Sequence, residues 1–408
     1  MTELDPAFVR AQFPAFSEPS LAGWAFFENA GGSYACRRVI ERLDRFYRRT
    51  KVQPYAPYPA SQAAGRAMDE AYGRVADMLG VDEAAVHFGP STSQNAYALA
   101  RAVRPLWREG DEIVVTDQDH EANSGAWRRL AETGMVLREW RVDPETGRLD
   151  PAALDALLSE RTRMVAFPHA SNIVAEINPV AEIAAKVRAA GALSVVDGVS
   201  YAPHGPPDLA ALDADVYFFS AYKTYGPHQG VMTVRPALAE RLENQSHWFN
   251  AGELRKKLVP AGPDHAQVAA MAGVAEYVDD LHAAAFTDNA APDLRARRVH
   301  DLMRRRETLL LTPLLDFLRE RREVRVLGPL DPARRAPTVA LLCREPGEAA
   351  AARLAERRIM AGGGHFYARR LVEAMGVDPA HGVLRLSFLH YTLEEEVARL
   401  IEALDAVL

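Results

Sequence analysis

The chain has 408 residues, 48% apolar and 25% charged, enough for more than one domain of ordinary globular type. A net charge of −7 offers no basic surface for nucleic acid or anionic lipid. Two cysteines, Cys36 and Cys343, exclude a disulfide framework, and no Cys/His spacing fits a zinc site.

The first residues, "MTELDPAFVR", are acidic and amphipathic and lack the basic-then-apolar pattern of a secretion signal. No apolar run approaches the ~20 residues that span a bilayer. A reducing cytoplasm is the expected location. Residues 61–80 read as a helix closed by Gly80. Strands and helices then alternate. "AAVHFG" is strand-like, and "STSQNAYALARAV" opens a helix. "EIVVTD" (112–117) is a strand followed by the helix "SGAWRRLAETG". "MVAFPHAS" (164–171) is a strand, and 179–191 is a helix with proline at its start and glycine at its end. "LSVVDGV" (193–199), "DVYFFSA" (215–221) and "GVMTVR" (230–235) are strands. Apolar strands separated by helices predict an α/β domain with a mainly parallel, doubly covered sheet.

After about residue 265 the pattern changes to long helices over 266–286 and 293–322. The strands "VRVLG", "TVALLCRE" and "VLRLSFL" follow, with helices between and after them. "TLEE" (392–395) predicts a capping box with Thr392 as cap and Glu395 reaching back. The expected organisation is a large α/β domain over 20–265. A smaller α+β domain takes 266–408 and the N-terminal residues 1–19.

Polar groups gather where strands end. In "HFGPSTSQNAYALA" a strand stops at Gly89 and hydroxyls open a helix, a ready anion site or simple N-capping. No Walker lysine and no GxGxxG is present, so the anion is not a nucleotide. His120 lies after "EIVVTD", at the carboxyl end of a strand, where α/β sheets bind ligands. His169, Ser171 and Asn172 end the next strand. Asp197 ends a strongly apolar strand, and a buried aspartate requires a cation or donors. Lys223 follows "DVYFFSAY" at the same kind of edge. A desolvated amine there has a lowered pKa and can form a Schiff base. An anion cradle, a flat histidine, a carboxylate and a lysine together match what pyridoxal phosphate needs.

With these residues in place, the chain resembles the class V aminotransferase family, in particular its cysteine desulfurase-like branch, among the fold-type I pyridoxal phosphate enzymes. The resemblance rests on the run from "HASNIVAEINP" to "FFSAYKTYGP", on "FFENAGG" (26–32) and on "GVLRLSFLHYTLEEEVARLIEAL". It implies a large domain with a mainly parallel seven-stranded sheet and a smaller α+β C-terminal domain. It implies that Lys223 is the Schiff-base lysine, His120 the ring-stacking histidine and Asp197 the partner of the pyridine nitrogen. Thr92, Ser93 and Ser220 would hold the phosphate, with Tyr222 in place of a histidine beside it. Asn172 would lie near the phenolic oxygen or the substrate, and Ser200 stands where a glutamine is usual. Asn29 and Ala30 fall in the substrate loop, and Arg385 would clamp the substrate carboxylate.

Departures from the family pattern bear on the reaction. Tyr367, in "GGGHFYARRL", stands where desulfurases carry the nucleophilic cysteine, and His365 precedes it. These two residues are read as a substrate wall or acid/base pair, or as loop packing. "GPHQG" is shortened and introduces His228. "PAGPDH" (260–265) resembles the loop that reaches the partner subunit's phosphate, with Pro263 where a threonine is usual. The expected function is a pyridoxal phosphate enzyme working at the α-carbon of an amino acid, by transamination, elimination or epimerisation. The alternatives are a cysteine desulfurase or selenocysteine lyase and, from another class, a non-catalytic binding protein on this fold. The expected partners are an amino acid substrate and a second copy of the chain in a homodimer.

Overall fold

The computed structural model describes residues 3–260 and 262–408. Its centre is a seven-stranded sheet. The strands are β1 (Val86–Gly89), β2 (Glu112–Thr116), β3 (Val136–Trp140), β4 (Thr162–Pro168), β5 (Leu193–Asp197), β6 (Val216–Ser220) and β7 (Gly230–Val234). Their spatial order is β1-β7-β6-β5-β4-β2-β3. Neighbours from β6 to β3 run parallel, while β7 is antiparallel to both β6 and β1.

Alternation sorts the side chains of each strand onto two faces. Val216 and Phe218 face one core with Ile113, Met164, Val195 and Trp127. Tyr217 and Phe219 face the other with Phe88, Phe167, Val196 and the helix Pro59–Leu79. Both faces are covered, so β6 is buried throughout. β1, β2, β4, β5 and β6 all point their carboxyl ends to one edge. The segments that leave them carry the polar groups singled out above.

The rest of the chain forms a four-stranded antiparallel sheet. It contains β8 (Arg325–Leu327), β9 (Thr338–Leu342), β10 (Gly362–Gly364) and β11 (Val383–Ser387), ordered β10-β11-β9-β8. Ala25–Phe26 pairs in parallel with Ile359–Met360. The helix Pro292–Arg319 packs Leu310, Leu311, Leu314, Leu315 and Leu318 on this sheet. The N-terminus reaches both parts of the molecule. The Phe13 ring lies 4.7 Å from Tyr391, 5.2 Å from Tyr277 and 5.9 Å from Tyr225, and Arg10 pairs with Glu396 at 2.9 Å.

Three elements differ from expectation. β3 is an exposed edge strand with alternating exposed residues. Val136 and Trp140 favour a strand, but the Leu-Arg-Glu between them breaks the apolar run, and parallel pairing with β2 completes it. β10 is three glycines and forms because Arg385, Leu384 and Val383 of β11 align with it. The last helix is Glu394–Val407, one residue later than "TLEE" predicts. Leu393 is its cap, and the carboxylate of Glu396, not Glu395, accepts the Leu393 N–H at 2.8 Å. Among the described residues no helix is long and apolar enough to cross a membrane.

Candidate active site

β1 ends at Gly89, and Ser91 caps the helix Thr92–Val103 by accepting the Gln94 N–H at 3.2 Å. Thr92 is the first helical residue and is buried, with its hydroxyl 2.8 Å from that of Ser220 at the end of β6. The two elements meet because β7 begins with Gly230. A Cβ there would stand 2.4 Å from the Ser91 carbonyl carbon and 2.6 Å from the Thr92 nitrogen. The hydroxyl pair and the helix N-terminus form one anion-accepting corner. Ser93 is exposed on the outer side of the same turn.

β2 leads to His120, which caps the helix Glu121–Arg128. Its Nδ1 accepts the Ala122 N–H at 3.1 Å, which leaves the proton of the neutral ring on Nε2. Burial, then the charges of Lys223 and Arg385, push its pKa down to about 3, so the ring is neutral at working pH. β5 ends at the buried Asp197. One of its oxygens accepts the Val199 N–H at 2.8 Å, and burial raises its pKa to about 6 against the opposing pull of Lys223. The sequence reading missed Asp119. This buried side chain takes one bond from Asn123 at 3.0 Å and leaves its other oxygen without a partner. Burial and the neighbouring Asp197 raise its pKa well above the carboxylate range.

β6 stops at Ser220, and a single turn of 3₁₀ helix, Ala221–Lys223, carries the lysine off the sheet. Lys223 is 8% exposed. Among the described residues its Nζ has no hydrogen-bond or ion-pair partner. Burial, then Arg385, lowers its pKa to about 8, while Asp197 and Glu28 oppose the shift. Beside it, the Tyr222 ring stacks on His228 at 4.8 Å with planes 4° apart. His169 lies behind this edge, stacked at 3.5 Å on Tyr201 with its Nδ1 bonded to the Tyr217 hydroxyl at 2.9 Å.

Residues far apart in sequence close the site from the other side. Arg385 projects from β11, is 3% exposed, and meets Glu28 at 2.8 and 3.2 Å. The Phe366 ring covers the guanidinium at 3.7 Å. Asn172 donates to the Phe366 carbonyl at 2.9 Å, and its own side-chain oxygen is buried without a partner. His365 Nδ1 accepts the Tyr367 N–H at 3.2 Å. Tyr367 is 70% exposed, with its ring 5.4 Å from His120 and its carbonyl accepting the Glu121 N–H at 2.8 Å. Residues 365–367 therefore form a strap across the His120 edge. Asn29 has a different setting. Its amide nitrogen donates to the Ser387 carbonyl at 3.0 Å and its oxygen accepts from the Tyr391 hydroxyl, so both ends are engaged. The Ala30 N–H donates to the Ser387 hydroxyl at 2.7 Å, and half-buried Ser200 shares a small enclosed cavity with Asn29 and Ala30.

Neither cysteine belongs to this site. Cys36 caps the helix Arg37–Arg49 and donates to the Gly273 carbonyl, and Cys343 follows β9. Both are buried, and burial pushes each thiol up to about 12. Pro260, Gly262 and Pro263 line a cleft with Gln94 and Asn95 of the helix that starts at Thr92; Ala261 of that loop lies outside the described residues.

The family model "Aminotransferase class-V" matches residues 25–400. The chain belongs to the class V aminotransferase family. Among its relatives, the aminotransferase-like protein FGM3 of Gibberella zeae is 34% identical over 98% of both chains. The cysteine desulfurase-like protein ustD of Aspergillus flavus is 29% identical over 99% of this chain and 91% of its own. The solved cysteine desulfurase CsdA of Escherichia coli superposes with a TM-score of 0.82 at 24% identity, over 99% of this chain and 98% of its own. The fold is thus that of fold-type I pyridoxal phosphate enzymes. As a class V aminotransferase family member with cysteine desulfurase-like relatives, the chain is an enzyme of a family that uses pyridoxal phosphate. Glu28, Asp119 and Phe366 are the site residues that sequence reasoning passed over. Glu28 had a signal, an acid inside the apolar run "AFFENA"; the other two had none beyond adjacency to His120 and Tyr367.

Proposed function

We propose that this protein binds pyridoxal phosphate at the carboxyl edge of its central sheet and acts at the α-carbon of an amino acid. The observation that carries the reading is Lys223, a buried amine with no hydrogen-bond or ion-pair partner among the described residues and a pKa lowered to about 8. A surface lysine would be solvated and charged; this one keeps a large neutral fraction near pH 8, the form that attacks a carbonyl. The surroundings fit the group. Thr92, Ser220 and the helix N-terminus suit a phosphate, with Tyr222 beside them and Ser93 turned outward. Asp197 suits a protonated ring nitrogen, and neutral His120 a flat ring. The unpartnered oxygen of Asn172 is free to accept a bond from cofactor or substrate. The bound cofactor supplies an electron sink for charge developing at the substrate α-carbon.

The protein's own groups do the rest. Lys223 holds and returns the α-proton as general base and acid. Arg385 orients the substrate carboxylate with its planar fork. The strap of His365, Phe366 and Tyr367 narrows access of water to the His120 edge. Transamination, elimination and epimerisation all begin from this arrangement. Desulfuration through a protein-bound persulfide needs an accessible thiolate, and the burial of Cys36 and Cys343 argues against it here. We place the enzyme in the cytoplasm as a homodimer, with the exposed Trp248 and Phe249 at the subunit contact. We divide the chain into a large domain over 20–265 and a smaller one over 1–19 and 266–408. The helices His265–Ala270 and Ala272–Ala285 reach back over the large domain.

The test is direct. Purified protein should be yellow, and borohydride should bleach it while fixing the cofactor to the peptide that contains Lys223. Lys223→Ala should abolish turnover of every amino acid that the wild type converts. A colourless protein that takes up no added pyridoxal phosphate would defeat the proposal. Alanine and sulfide released from cysteine would restore the desulfurase reading.

A further inference from the structure

Arg385 is enclosed on every side. Phe366 covers one face at 3.7 Å, and the Asn172 carbonyl stands 3.4 Å from Nη1. Nε is buried without a partner, and Glu28 takes Nη2 with both carboxylate oxygens, at 2.8 and 3.2 Å. The seat for that carboxylate is built by two glycines. A Cβ on Gly31 would stand 2.8 Å from Glu28 Oε1. One on Gly362 would stand 2.9 Å from Oε1 and 3.0 Å from the Phe366 ring. We infer that Glu28 is an internal competitor for the carboxylate clamp, and that it sets how tightly this enzyme holds an α-amino acid. The inference rests on the reading of Arg385 as that clamp.

An incoming carboxylate reaches Arg385 by taking the place of Glu28, and three features favour this exchange. The Glu28 side chain is 26% exposed and Arg385 only 3%, so Glu28 is the partner that can swing to solvent. The exchange trades one carboxylate for another and leaves no buried guanidinium unpaired, the outcome that would cost most. Lys223 feels Arg385 and Glu28 with opposite sign, so a like-for-like exchange also leaves the charge around the amine balanced. Glu28 is thereby a specificity-determining residue. It opposes weak carboxylate ligands, which must displace it with little else to hold them. It admits amino acids whose ammonium and side chain add further contacts.

The experiment is calorimetric titration of the holoenzyme with propionate, a bare carboxylate, and with L-alanine. Glu28→Gln keeps the shape and an acceptor for Arg385 but removes the competing charge. It should bind propionate about tenfold tighter or better, and lower KM for any converted amino acid more than it changes kcat. Gly362→Ala keeps the charge of Glu28 but denies it the seat, and should shift affinity in the same direction; it decides the matter if Glu28→Gln does not fold. Arg385→Gln should abolish the propionate signal. Unchanged or weaker binding in Glu28→Gln and Gly362→Ala, or propionate binding that survives Arg385→Gln, overturns the inference. Failure of the cofactor proposal reads differently: the protein never colours, while the propionate titrations still report on Glu28 and Arg385.

Discussion

Lys223 owes its chemistry to the point where the chain leaves the sheet. Five buried residues of β6 precede it, and one tight turn drops its amine into the same low-dielectric edge. The ammonium form therefore lacks water, and its pKa falls from 10.5 to about 8. That shift has a consequence for stability. Below pH 8 the amine is charged in both folded and unfolded chains, and the folded state bears the whole desolvation cost, roughly 3 kcal/mol at ~1.4 kcal/mol per unit. Between 8 and 10.5 the unfolded chain holds a proton that the folded chain lacks, so stability rises with pH. Lys223→Met should therefore stabilise the cofactor-free protein at pH 7, by up to about 3 kcal/mol, and the gain should shrink towards zero near pH 10.5. Urea unfolding of wild type and variant at pH 7 and pH 10 measures it. Equal gains at both pH values would show that the lysine is not held out of water. Activity moves the other way, since Lys223→Met lacks the amine. On the proposed function, the residue is kept at the expense of stability because the chemistry requires a poorly solvated amine.

The strap is an element whose identity was only half legible in the sequence. Tyr367 drew notice because a nucleophilic cysteine is absent there. What the loop does depends on contacts that no local pattern reveals. Phe366 and Tyr367 both lie in the left-handed region, at φ 47 and 58, where residues other than glycine cost of order 1 kcal/mol or more each. Their surroundings hold them. Phe366 is fixed from three directions, by its ring on Arg385, by Asn172 on its carbonyl and by close packing of its ring on Gly362. The Arg370–Glu121 ion pair also ties the loop down, but both side chains are two-fifths exposed or more. Exposed pairs are worth under ~1 kcal/mol, whereas a desolvated cation–π contact is worth ~2. Glu121→Gln should thus change kcat/KM less than about threefold, and Phe366→Ala should lower it more than about tenfold. Steady-state kinetics on the two variants compares them. A larger loss from Glu121→Gln would put the ion pair, not the aromatic cover, in charge of the strap.

Across the whole molecule, the parallel strands were the readable part, because each is an apolar run buried on both faces. Asp197, His120 and Lys223 were readable for the same reason, since each is a polar residue at the end of such a run. What escaped was the joinery. β3 is a short, largely solvated edge strand, β10 has no side chains, and the contact between Glu28 and Arg385 joins residues 357 positions apart. The N-terminal segment belongs with these. It is expected to pack with the smaller domain; Phe13 meets Tyr277 of the helix Ala272–Ala285 and Tyr391 beyond β11 there, and in the same aromatic cluster it also meets Tyr225, two residues after Lys223. The hydroxyl of the same Tyr391 donates to Asn29, and Asn29 in turn bonds Ser387 on β11. Phe13 thus fills the joint between the segment that follows Lys223 and the segment that follows β11. Its ring is 1% exposed, so truncation leaves a cavity between rigid rings that have little freedom to close on it. Phe13→Ala should cost about 3–5 kcal/mol, a large fraction of the ~5–15 kcal/mol that keeps a protein folded. Half-buried Phe8, on the neighbouring helix Pro6–Ala11, controls for the loss of a ring near the N-terminus, and Phe8→Ala should cost no more than about 1–2 kcal/mol. Urea midpoints of the three proteins, followed by tryptophan fluorescence, give the comparison. A Phe13→Ala midpoint as high as that of Phe8→Ala would mean that the N-terminal segment merely lies on the joint. The predicted large drop would mean that the joint between the sheet edge of Lys223 and the strand of Arg385 draws its stability from residues at the opposite end of the sequence.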